Sequence, residues 1–375
     1  MRHNRMCNMD ILRTISMITI VVNHVFIDSG IIGSSVQFFM VPQGANYVLG
    51  NLLLSCFYLI GVNCFVMITG YFLITRVGNN FKKIASIWCH AWFYLFGITL
   101  VFYILGLYDT TWKDLINSFL VVHGNLNWFV KCYIGLLLVA PFLSILAQSI
   151  TRRQYLLLLI VLTLLSTNLI KPINFPYGGL FDSSQGSSLF WFCYLYLVAG
   201  YISLYKVKLS SQVCMVVAVL AWLVISAQLL VKIVFYTSNE CFVFHNIGSY
   251  NGALFVLSLS VFCAIANSNY ALPKSRLGRL MFNISPYMFG VFLLHSHFKM
   301  KLLIWDILDP KGWISSPFFI PYLIGCVILI FMMGICMDCL RAYVFKALTN
   351  PASAIYCKLR KKVLGGLEKT IFGKW

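Results

Sequence analysis

Arg13 and His24 stand eleven residues apart in one apolar stretch, DILRTISMITIVVNH, from Asp10 to His24. These two residue types do different chemistry. A guanidinium grips anionic oxygens through paired hydrogen bonds. A neutral imidazole takes up and returns protons near neutral pH. On a single helix, eleven residues rise about 16 Å, half of a bilayer's hydrocarbon core. The spacing therefore predicts an arginine near one membrane face and a histidine well inside. Asp10 lies three residues before Arg13, placed to pair with it. Asp28 lies four after His24; it either orients the imidazole or is an ordinary acid of the following loop. An ionisable side chain in lipid is costly, so each of these residues is a functional candidate. The plainer reading of His24 is a histidine hydrogen-bonded within a helix bundle.

Other apolar runs carry candidates too. His295 closes a late run and is followed by His297, a pair that would also serve to cap a helix end at the interface. Lys131 sits in an aromatic-rich stretch beside Asn127 and Trp128. Lys232, Lys299 and Lys301 fall near the ends of their runs, where a lysine reaches the headgroups along its own stem.

The elements that hold these groups follow from composition. The chain has 375 residues, 60% of them hydrophobic and 10% charged, with a mean hydropathy of +0.86. A soluble domain needs about a quarter of its residues charged. The apolar runs come in blocks of about 20 residues, the length of a spanning helix rather than a barrel strand. The formal charge of +18 does not point to nucleic acid, because the basic residues sit in short loops between apolar blocks. Most of the thirteen cysteines act as small hydrophobes. Cys336 and Cys339 form one tight pair with no second pair to complete a metal site, so no metal is expected. Arg2 and Arg5 ahead of an apolar run imitate a signal peptide, but Asp10, Arg13 and His24 interrupt it and no cleavage site follows, which reads as a retained helix.

The pattern predicts an all-α integral membrane protein with ten spans, at 11–27, 47–73, 84–106, 127–147, 154–170, 189–205, 212–236, 250–267, 284–304 and 318–341. Loop charge tests this count. One set of loops and the tail carry Arg76, Lys82, Lys83, Arg152, Arg153, Lys206, Lys208, Lys274, Arg276, Arg279 and a run of tail lysines. The other set carries Lys113, Lys171 and Lys311 among Asp28, Asp109, Asp114, Asp182, Glu240, Asp306 and Asp309. Positive residues mark the cytoplasmic side, so both termini are expected there. Arg13 then lies near the cytoplasmic face, with His24 and His295 at similar depth in the outer half. The loops are too short to fold as a soluble domain, and no internal repeat is visible. Residues 1–341 form the expected membrane domain. Residues 342–375 form a basic tail in which Ile355, Leu359, Val363, Leu367 and Ile371 recur every fourth position, the pattern of an amphipathic helix on the anionic inner leaflet.

Four stretches, in order, resemble the membrane acyltransferase-3 family. Its first-span signature is an arginine, ten residues, then a histidine, as Arg13 and His24 stand here. NCFVMITGYFL, Asn63 to Leu73, is similar to the family's Phe-rich run ending in Ser-Gly-aromatic-Leu, with Thr69 in place of the serine. NWFVKCYIGLLLVAP, Asn127 to Pro141, resembles its Trp-Phe span ending in proline. SPYMFGVFLLH, Ser285 to His295, resembles its late span with serine, aromatics and a closing histidine. Many members carry an arginine pair followed by proline after the second span; this chain has Lys82 and Lys83 and no proline there. The hydrolase-like domain that some members carry after the spans is not expected.

The resemblance implies transfer of an acyl group, often acetyl from acetyl-CoA, to hydroxyls of cell-surface or lipid-linked glycans at a bacterial inner membrane. Arg13, Arg76, Lys82 and Lys83 would form a basic mouth for the donor's phosphates. Gly70 would allow close approach, or serve helix packing instead, and Tyr71 would touch the donor. His24, with Asp10 and Arg13 in the catalytic set, would act either as general base or as a transient acyl carrier. Asn127, Trp128, Lys131 and His295 would bind the acceptor, and Trp191 would stack on it or belong to the interfacial belt. Partners are then acyl-CoA, a polysaccharide and membrane lipid, with homo-oligomerisation left open and nucleic acid excluded. The competing readings are a transporter or glycan flippase coupled through His24 and His295, which an internal repeat would favour, and a non-catalytic component of an export complex.

Overall fold

The structure, a computed structural model, describes residues 6–30, 60–76, 78, 80–120, 127–167, 186–235, 252–268 and 275–371, and among these the side chains outside 228–235 and 348–371. Its elements are α1 (Cys7–Asp28), α2 (Ile60–Leu73), α3 (Phe81–Ile104), α4 (Trp112–Phe119), α5 (Trp128–Ser149), α6 (Arg152–Ser166) and α7 (Leu189–Leu204). They continue with α8 (Ser211–Phe235), α9 (Gly252–Ala266), α10 (Arg276–Ile284), α11 (Met288–His295), α12 (Met300–Leu308) and α13 (Phe319–Ile371), and no strand occurs among the described residues. Helices stand at all ten expected positions. Five are long and apolar enough to cross a membrane: Cys7–Asp28, Phe81–Ile104, Trp128–Ser149, Arg276–His295 and Phe319–Ala347. The first part of the expected second span, 47–59, lies outside the described residues, and so do Lys171, Asp182, Glu240 and the side chain of Lys232.

α1 is the helix around which others gather; α2 and α9 to α13 all pack on it. Its polar residues turn inward. Thr14, Ser16, Thr19 and Asn23 are buried, whereas Ile11, Ile15, Ile18 and Val22 form a partly exposed stripe. This inverts the amphipathic helix of a soluble protein. In lipid an aliphatic stripe is at ease facing outward, and polar groups seek partners inside the bundle. Small residues permit the close approaches. A Cβ on Gly61 would lie 2.3 Å from the Ser16 carbonyl oxygen, so glycine lets α2 press against α1. Asn63 then ties three helices together: it accepts from Trp191 Nε1 at 3.0 Å and donates to Ser258 Oγ at 3.1 Å.

The ninth span differs from the expected 284–304. It begins at Arg276, tightens into a 3₁₀ turn at Ser285–Tyr287 where Pro286 sits, and ends at His295. The chain turns there because side chains terminate one helix and start the next. Ser296 Oγ donates to the Phe292 carbonyl at 2.7 Å. His297 Nδ1 accepts from the backbone N–H groups of Lys299 and Met300, each at 3.2 Å, and so caps α12. His297 thus serves as the helix cap, and His295 does not.

Against α11 a buried carboxylate ties α13 to α3. Asp338 of α13 accepts from Arg341 Nε at 2.7 Å and Tyr94 OH at 3.2 Å, and its Oδ1 lies 2.7 Å from His90 Nε2 of α3. Gly290 of α11 makes room for it, since a Cβ there would fall 2.6 Å from the carboxylate. α13 runs as one helical element past Arg341 to Ile371, so the expected span and tail belong to the same element.

Candidate active site

Two polar clusters sit along α1, one near each end. At the Cys7 end, Arg13 Nη1 meets Asp10 Oδ1 at 2.6 Å, one helical turn away. Ser285, brought in by the 3₁₀ turn, donates to the same Asp10 oxygen at 3.0 Å, and Arg13 Nη1 lies 3.3 Å from its hydroxyl. Thr14 Oγ1 donates to the Met281 carbonyl at 2.8 Å and fastens α10 alongside. The aspartate is buried, and the arginine side chain keeps 30% of its surface exposed. One guanidinium nitrogen is thus held by the aspartate while the group still reaches solvent or a ligand.

Toward the Asp28 end, His24 lines a cavity of about 310 Å³. Ile20, Asn23, Ile27, Asp28, Asn127, Trp128, Phe129, Ser187, Ser296 and Lys301 share its wall. The His24 Nδ1 atom is buried, without a hydrogen bond, 3.7 Å from Asp28 Oδ2. That gap is too long for a hydrogen bond, and catalytic contacts often close only when substrate is bound. With Nδ1–H turned to the carboxylate, Nε2 is the nitrogen left to carry a lone pair. Asp28 is steadied from its other side by Lys301 Nζ at 3.7 Å. His295 packs behind, its ring centroid 4.9 Å from that of His24 and its side chain wholly buried.

Below this cavity an aromatic ladder runs from His24 through Phe292, Phe129 and Tyr133. Successive ring centroids are 6.5, 5.1 and 5.6 Å apart. Lys83 ends it, with Nζ 5.9 Å from the Tyr133 ring centre. It reaches that depth because Asn80, just before α3, donates to the Leu137 carbonyl in the middle of α5. Tyr133 OH in turn lies 2.8 Å from Thr69 Oγ1 of α2.

The profile of the acyltransferase-3 family, described as an acyltransferase domain, matches residues 8–341. The chain belongs to the acyltransferase-3 family. No curated protein and no solved structure matches it significantly. Membership makes this chain a membrane acyltransferase and favours that reading over a transporter.

Within this acyltransferase, the residues expected at the site are not all in one place. Asp10 and Arg13 pair, and His24, Asn127 and Trp128 share the cavity with His295 behind it. Lys131 is exposed on α5 and does not line that cavity. Gly70 packs against α7, where a Cβ would sit 2.5 Å from the Tyr196 carbonyl oxygen; this is the packing role. Tyr71 packs edge-on against Phe72 and Phe262. Arg76 and Lys82 are exposed, while Lys83 is drawn inward. Trp191 is fully buried and bonded to Asn63, so it is neither belt nor stacking platform. Sequence reasoning passed over Asn23 and the Asp338 cluster. Asp338 and Arg341, a charged pair three residues apart in an apolar run, were the available signal.

Proposed function

We propose that this acyltransferase moves an acetyl group from cytoplasmic acetyl-CoA to a hydroxyl of an extracytoplasmic or lipid-linked glycan, at a bacterial inner membrane. The observation that carries the proposal is His24 at the cavity wall, with a carboxylate behind Nδ1 and a second imidazole against its ring. In this reading His24 Nε2 takes the proton of the acceptor hydroxyl. The hydroxyl oxygen bonds to the thioester carbonyl carbon, the C–S bond breaks, and the proton passes to the CoA sulfur. Asp28 orients the imidazole and steadies its positive charge. Trp128 and Asn127 flank the acceptor.

The donor enters from the other side. Arg13, with Arg76 and Lys82 at the surface, attracts its phosphates, and Lys83 guides the chain toward the Tyr133–Phe129–Phe292 ladder. The apolar ladder suits the long, mostly uncharged pantetheine arm. This direction requires ten spans, both termini cytoplasmic, and the basic tail at the inner leaflet.

The test is transfer of label from radiolabelled acetyl-CoA to cell-envelope glycan by the full chain in lipid vesicles. Transfer is expected; its absence with authentic glycan present would overturn the proposal. Arg13→Ala should weaken acetyl-CoA binding by about tenfold, the loss of one charge-assisted contact, with membrane insertion intact. Unchanged donor affinity would remove Arg13 from the donor site. Single cysteines at Lys113 and Lys311 should react with impermeant thiol reagent from outside, and those at Arg152 and Arg279 only after permeabilisation. The reverse pattern would turn the donor side around.

A further inference from the structure

Asn23 shares the cavity with His24 and has no role so far. Its side chain is 6% exposed, it lines the cavity, and its Oδ1 is buried without a hydrogen-bond partner among the described residues. A second unpaired acceptor packs against His24. His295 Nδ1 sits 2.6 Å from the Val291 carbonyl oxygen. A carbonyl only accepts, so Nδ1 bears the hydrogen and Nε2 the lone pair; Nε2 is buried and also without a partner. Around His24, then, two buried acceptor atoms, Asn23 Oδ1 and His295 Nε2, stand without partners among the described residues.

Buried polar atoms left unpaired within a folded protein take their partner from water or from a ligand, and an acceptor substrate bound in this cavity displaces the water. Here the ligand must bring hydrogen, as an O–H or N–H group. Asn23 and His24 follow each other on α1 and both line the same cavity, so one ligand held there lies against both. A ligand with two hydroxyls can meet both residues, and a single alcohol only one.

We infer that Asn23 is a specificity-determining residue: its amide oxygen accepts a hydrogen bond from a second hydroxyl of the acceptor whose first hydroxyl His24 deprotonates. The inference rests on the acyl-transfer reading and sharpens it. The acceptor must carry at least two hydroxyls, and the enzyme reads the second to choose the first.

The experiment uses the full chain in lipid vesicles, radiolabelled acetyl-CoA and cell-envelope glycan. Asn23→Ala should raise KM for the glycan by about tenfold, the worth of one hydrogen bond. KM for acetyl-CoA, the melting temperature, and hydrolysis of acetyl-CoA without glycan should stay as in the wild type. Asn23→Asp keeps an oxygen in the same place and should recover part of the glycan affinity. It also serves as the second variant should the alanine form not fold. An unchanged glycan KM in Asn23→Ala would overturn the inference, and so would a rise confined to the acetyl-CoA KM, which would assign Asn23 to an amide of the donor arm. An equal fall in transfer and hydrolysis, worst in Asn23→Asp, would overturn it in favour of a donor to the reacting carbonyl. A wild-type protein that moves no label would instead remove the acyl-transfer reading itself.

Discussion

Replacing His24 with alanine should lower acyl transfer by about 100- to 10,000-fold, the range for loss of a general acid–base group. The fold should be unaffected. His24 makes no hydrogen bond within the described structure, and its ring borders a cavity that water can fill. The loss should therefore appear in kcat, with a melting temperature close to the wild type. Asp28→Asn separates proton transfer from orientation. It keeps the side chain's shape and removes the charge 3.7 Å from Nδ1. It also leaves Lys301 without its carboxylate. An intermediate fall in kcat is expected, between wild type and the alanine variant at position 24. Equal transfer by wild type and His24→Ala, measured as label on glycan, would remove His24 from the reaction.

Replacing Asp338 with alanine should act in the opposite way, through stability first. The carboxylate is 2% exposed and joins His90, Tyr94 and Arg341 across α3 and α13. Its removal leaves a guanidinium and a histidine facing an empty site next to Gly290. Breaking one side of a buried charged pair costs about 3–5 kcal/mol. The melting temperature in detergent should fall sharply and activity should fall with it. Asp338→Asn keeps two oxygen or nitrogen contacts and should lose less. A variant with normal melting temperature and no activity would mean that the cluster takes part in the reaction.

What was legible in the sequence was what lipid makes costly. The positions of the helices followed from apolar length, and Asp10, Arg13 and His24 stood out because charge in an apolar run needs a reason. What each side chain touches was not legible. Lys83 looked like a surface lysine of a loop and lies over Tyr133, because the start of α3 is anchored to the middle of α5. Gly70 fitted a donor-contact motif and meets the Tyr196 backbone. Trp191 fitted an interfacial belt and is held in the core by Asn63. In each case the deciding contact comes from a residue more than fifty positions away, which no local pattern records. The end of the ninth span turned on His297, whose capping role depends on which ring nitrogen faces the next turn.

The inward-facing polar stripe of α1 has a consequence for biogenesis. α1 leaves the ribosome well before its partners: Ser285 is 272 residues downstream of Arg13, and His295 follows. Until then Thr14, Ser16, Thr19, Asn23 and His24 have no finished bundle to face. The Asp10–Arg13 pair, formed within the helix itself, neutralises the charge at the Cys7 end during that wait. The nascent chain is thus able to hold its first helix in the bilayer on the strength of its isoleucine stripe. The site is assembled only when the tenth and eleventh helices arrive to close over it.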